Sequence, residues 1–220
     1  MAVGTFAMNA EAVVTYQLNN VFSGSTPAGA APWATATFQS AGANTVTLTL
    51  TNNAGSGQFI TEWDFNSSVT SGLTFTYVAG SSTKPAATGV QLGSNCCQAD
   101  GDGLYDIEFD FAAAQASRFT AGTVVYTITG TGITEGTFNE LSAPAGGAGP
   151  FHTAAHLQGI PGTVAGVTCS GWISDTVAGS TNGTTNGPCT TVAEPSVLLF
   201  SGLGLAFVGG LWRRMRTRPA

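Results

Sequence analysis

From Val13 onward, apolar and polar positions alternate with a period of two, the signature of half-buried β-strands. NTVTLTLTN (44–52) is the cleanest case. Val46, Leu48 and Leu50 fall on one face, Thr45, Thr47, Thr49 and Thr51 on the other. LYDIEFDF (104–111) sets Leu104, Ile107, Phe109 and Phe111 against Asp106, Glu108 and Asp110, and TVVYTITG (123–130) aligns Val124, Tyr126 and Ile128. Further strands are predicted at 13–22, 33–40, 58–66 and 72–80, with weaker ones at 137–142, 152–160 and 167–174. Only a turn near 111–118 has helical character. Short strands joined by Gly-rich turns predict an all-β domain over 13–175, a single β-sandwich with jelly-roll-like topology first and immunoglobulin-like second. Residues 176–193 are rich in Thr, Gly and Asn and predict a flexible linker.

The alternation ends at the carboxy terminus. Val197–Trp212 is an uncharged apolar run of sixteen residues. As a helix it would be about 24 Å long, against roughly 30 Å of hydrocarbon in a bilayer. Trp212 sits at its boundary, and Arg213, Arg214, Arg216 and Arg218 follow, as expected on the cytoplasmic side of a transmembrane helix. Pro195 marks where that helix can begin. Gly202, Ala206 and Gly210 recur every four residues, a small-residue face suited to packing on another membrane helix.

Glu194-Pro195-Ser196, the apolar run, and Arg213 with Arg214 together resemble the PEP-CTERM sorting signal of exported proteins of Gram-negative bacteria. Ala193 stands where the first proline of that signature is expected. The resemblance covers 194–218. It implies recognition by an exosortase, cleavage near the signature, and delivery to the cell surface or an exopolysaccharide matrix. CCQADGDGLYDIEFDF, RFTAG (118–122), AAHLQGI and SGWIS also resemble blocks of one subgroup of these proteins, to which no biochemical activity attaches. Residues 1–12, ending in Ala10-Glu11-Ala12, read as the end of a secretory signal peptide.

Composition narrows the function classes. Charged residues make up 8 % of the chain, against about a quarter in ordinary soluble domains. Before the tail, Lys84 and Arg118 face eleven acidic residues, a net charge near −9. Nucleic-acid binding needs clustered Lys and Arg, so that class is excluded.

The candidate chemistry is sparse. Asp100, Asp102 and Asp106 take alternate positions of a calcium-loop-like turn, with Gly103 at its tight position. Gln98 and Phe109 replace its first and last acidic ligands, and the competing reading is a solvated Asp-Gly turn. Cys96, Cys97, Cys169 and Cys189 allow three full pairings in an oxidising compartment. Cys169–Cys189 closes a loop within reach, whereas the adjacent Cys96 and Cys97 are the least natural partners. His152 and His156 lie too far apart along a strand to chelate one ion, about 13 Å, and read as hydrogen-bonded at the core edge. Glu62 and Asp64 flank Trp63 as in a glycosidase, but a solvated strand edge accounts for them. There is no G-x-S-x-G nucleophile motif. The expected function is therefore an exported surface or matrix protein without catalysis. The alternative is a calcium-assisted carbohydrate-binding module, which requires exposed rings from Trp33, Trp63 or Trp172.

Overall fold

In the computed structural model of the chain, residues 12–100, 103–163, 166–183, 185–187 and 189 are described. In chain order the strands are β1 Val13–Leu18, β2 Asn20–Ser25, β3 Ala34–Ser40, β4 Thr45–Asn52, β5 Phe59–Phe65, β6 Thr74–Tyr77, β7 Gly89–Gln98, β8 Leu104–Asp110, β9 Phe119–Thr120, β10 Gly122–Thr129, β11 Thr153–Pro161, β12 Thr168–Ser174 and β13 Thr185–Gly187. They form two sheets. One runs β1-β3-β4-β10-β6. The other runs β13-β2-β12-β11-β5-β8-β7, with β9 beside β5. Every pairing is antiparallel except the short β13–β2 contact. The all-β sandwich expected from the alternation is the fold.

The alternation also sets which side chains meet between the sheets. β4 buries Val46, Leu48, Leu50 and Asn52 and leaves its threonines partly exposed. β5 and β8 bring Trp63, Phe65, Ile107 and Phe109 to the same interior from the opposite sheet. Phe38 of β3 meets Phe65 edge-on, with ring centroids 5.2 Å apart, and stacks on Phe138 at 4.4 Å. A second apolar cluster, separate from this core, joins Phe22, Cys97, Ala99, Tyr105, Phe151, Ala154 and Trp172.

Several elements differ from expectation. The run predicted as one strand over 13–22 is two, because the chain leaves one sheet at Leu18 and enters the other at Asn20. The weak strand over 137–142 is instead a 3₁₀ turn, Glu135–Phe138, closed by a reciprocal Thr134–Thr137 capping box. This turn places Phe138 on Phe38. Three strands escaped the pattern: β7, the two-residue β9 and β13. β7 reads GVQLGSNCCQ, without alternation. Its register to β8 jumps from Leu92↔Ile107 to Cys97↔Tyr105, so an insertion on β7 breaks the period. β13 lies within the stretch read as linker. Among the described residues no helix is long and apolar enough to cross a membrane. The sorting signature Glu194-Pro195-Ser196, the apolar run 197–212, Arg213, Arg214 and residues 1–11 lie outside the described residues.

Candidate functional site

Of the acids of the predicted calcium loop, the two that are described, Asp100 and Asp106, have separate partners. Asp100 accepts a hydrogen bond from the Ser23 hydroxyl of β2 at 2.6 Å. Asp106, on β8, accepts one from the Asn95 N–H at 2.8 Å through one oxygen and one from the Ser67 N–H at 3.1 Å through the other. Asp106 thereby ties the β7 insertion and the segment after β5 to one side chain. Asp102 lies outside the described residues.

The carboxylates that do converge come from elsewhere. Because Trp63 and Phe65 point into the core, the neighbouring Glu62 and Asp64 point to the other face of β5. Across the β5–β8 ladder Glu62 is opposite Asp110 and Asp64 opposite Glu108. One carboxylate oxygen each from Glu62, Asp64 and Glu108 lies within 4.8 Å of the others. Like charges facing each other across a ladder cost about 0.2–1 kcal/mol per pair when both are ionised. The environment shifts Glu62 and Glu108 toward their protonated forms. Burial, and then the charges of Glu108 and Asp110, push the Glu62 carboxyl from 4.5 up to about 7. Burial and Asp110 also push Glu108 upward, against a hydrogen bond from Gln91 Nε2 at 2.6 Å. An all-oxygen trio at this spacing is also of the type that holds a hard divalent cation.

The EWDF acids are thus not on a solvated edge. β5 is a central strand between β11 and β8. Asp64 is fully buried, and its cross-strand neighbour Ala154 belongs to the second apolar cluster. Chemistry of the glycosidase kind needs two carboxyls that a sugar can reach, and Asp64 cannot be reached.

The histidines have separate partners. His152 Nδ1 lies 2.6 Å from Asp175 Oδ2, while Asp175 Oδ1 accepts the backbone N–H groups of His152 and Thr153. The His152 ring stacks on Tyr16, whose hydroxyl donates to the Phe138 carbonyl. This group links β1 to the ends of β11 and β12. Among the described residues no hydroxyl or thiol hydrogen-bonds to the far nitrogen of His152. His156 stacks on Trp172 at 4.7 Å and shares a hydrogen bond with Thr61 Oγ1 at 3.2 Å. Burial lowers its pKa.

All four cysteines are bridged. Cys169 pairs with Cys189, and Cys96 with its neighbour Cys97. The adjacent pair forms where β7 carries its insertion, so the chain there is free of the regular pleat that would point successive side chains apart. The three described tryptophans are buried: Trp33 hydrogen-bonds to the Gly29 carbonyl, Trp63 to Thr153 Oγ1, and Trp172 packs against Phe22 and His156. The described residues therefore present no indole platform.

The carboxylate trio was half-legible in the sequence. The alternation of β5 places two acids on one face, Glu62 and Asp64, and that of β8 places three, Asp106, Glu108 and Asp110. What could not be read was that these strands are neighbours. Comparison with family models, with curated proteins and with solved structures finds no match to this chain.

Proposed function

We propose that the chain is an exported envelope or extracellular-matrix protein whose β-sandwich serves by structure and binding rather than by catalysis. In this reading an exosortase processes it through the tail. The observation that carries the reading is the use of all four cysteines in disulfides. Disulfides persist in oxidising compartments and are rare in the cytosol. The low charge of the chain, and the order of signature, apolar run and arginines from Glu194 to Arg218, support the same reading.

The finer parts of the reading follow from it. The tail would anchor the chain by one membrane helix over 197–212 until cleavage. The repeated crossing from sheet to sheet, with β4 beside β10 and β2 beside β12, supports a jelly-roll-like connectivity.

Calcium-assisted carbohydrate binding is the second reading. The convergence of Glu62, Asp64 and Glu108 favours its cation half. The buried tryptophans weigh against the aromatic platform it called for.

Intact mass of the protein from its native host, before and after reduction, tests the first reading. A mature mass ending near residue 193, rising by four hydrogen atoms on reduction of the two disulfides, is the expected result. A full-length, fully reduced cytosolic species would overturn it.

A further inference from the structure

One end of the eight-stranded sheet carries a groove far from the carboxylate trio in chemistry. It encloses about 840 Å³ and is lined by residues that include Ser56, Phe59, Arg118, Gln158, Gly159 and Ser170. Volumes of this size are typical of small-ligand sites. Its floor is a single cross-strand row. Phe59 of β5 is opposite Gln158 of β11, and Gln158 is opposite Ser170 of β12. Arg118 joins this row from the other side, because the next two residues form β9, which pairs with Phe59 and Ile60.

Arg118 is held rather than loose. Its Cζ lies 4.0 Å from the centroid of the Phe59 ring, and its Nε donates to the Ala113 carbonyl at 2.8 Å. A guanidinium fixed through one face and one edge keeps its remaining fork for a planar oxyanion. The surroundings agree. Among the described residues none that lines the groove is acidic, although acids outnumber bases twelve to six in the whole chain. Besides the cation, the lining offers hydroxyls from Ser56 and Ser170 and the amide of Gln158. A register shift between Gln158 and Ile160 forms the groove wall. Gly159 sits there at φ +72°, where a Cβ would come within 2.5 Å of the Gly57 carbonyl oxygen.

We propose that this groove binds an acidic saccharide, with Arg118 receiving the carboxylate of a sugar acid and Gln158, Ser56 and Ser170 receiving its ring hydroxyls. The chemistry selects the class. A fixed guanidinium requires an anion, and hydroxyl and amide donors beside it suit a polyhydroxylated one better than an acidic peptide, which offers carboxylates but few hydroxyls. The inference is independent of where the protein is delivered.

Titration calorimetry on the full chain in a nonionic detergent tests it, with short oligogalacturonates as probe. Galacto-oligosaccharides of equal length serve as the neutral control and poly-glutamate as the acidic-peptide control. The expected result is binding of oligogalacturonate alone, weakened at least about tenfold by R118Q, the loss of one charge-assisted contact. Should R118Q unsettle the fold through Phe59, Q158A, which leaves that contact in place, is expected to weaken binding several-fold at an unchanged melting temperature. Absence of heat with oligogalacturonate would overturn the proposal. So would equal binding of the neutral oligosaccharide or of poly-glutamate, or an affinity that neither substitution moves.

Discussion

Glu62 concentrates the electrostatics of the molecule in one side chain. Its carboxyl ionises near 4.5 when the chain is unfolded and near 7 when folded. The folded state therefore holds the proton more tightly. The associated stability is complete below about 4.5 and is lost as the pH rises through about 7. His156 works in the opposite sense. Its lowered pKa gives stability that is lost as the pH falls below its ordinary 6.5. Comparing wild type with E62Q isolates the carboxyl. Thermal melts are expected to show wild type losing about 1–2 kcal/mol relative to E62Q across that rise, less than the full shift implies because the cluster is partly hydrated. Above pH 7, millimolar calcium is expected to restore wild type and leave E62Q unchanged, since only the former keeps three carboxylates to share a cation. Single-residue chemistry was the least legible part of the sequence. The DxDxxxD spacing of 100–106 drew attention to acids that hydrogen-bond to Ser23, Asn95 and Ser67. The acids that meet lie on strands forty-odd residues apart, and spacing along a chain carries no information about strand adjacency.

At the scale of elements, legibility followed periodicity. β4 and β8 alternate in burial along their whole length and β10 along part of it, and all three stand within a residue or two of their expected limits. β7 interrupts its period with an insertion, and β9 and β13 are too short to have one. The two disulfides differ as elements too. Cys169–Cys189 spans 20 positions and ties the segment after β13 back to β12, whereas Cys96–Cys97 closes no loop of chain. Loop-closure entropy is therefore at stake in one bridge only. Denaturant unfolding is expected to show C169A/C189A losing about 3 kcal/mol and C96A/C97A staying within about 1 kcal/mol of wild type. The bulge in β11 depends on Gly159. G159A is expected to cost about 1–3 kcal/mol in the same assay, from the left-handed backbone and the approach to Gly57.

The whole molecule is held by pairings distant in sequence. The core takes side chains from Tyr16 to Cys189, and the Tyr16–His152–Asp175 group joins the first strand to the turn after the twelfth. A loss at either end should therefore be felt throughout. Y16F keeps the ring stack and removes the hydroxyl that donates to Phe138, and a single unfolding transition lowered by about 1 kcal/mol is expected by circular dichroism. The sheet order holds a further consequence. Among the described residues β2 lies between β12 and β13 and pairs with no other strand. During synthesis, an edge made among the first twenty-five residues has nothing to zip against until residue 168 has emerged. A chain of this topology stays slow to close. Under the proposed export, β2 would stay without its β12 partner until most of the domain had crossed the membrane.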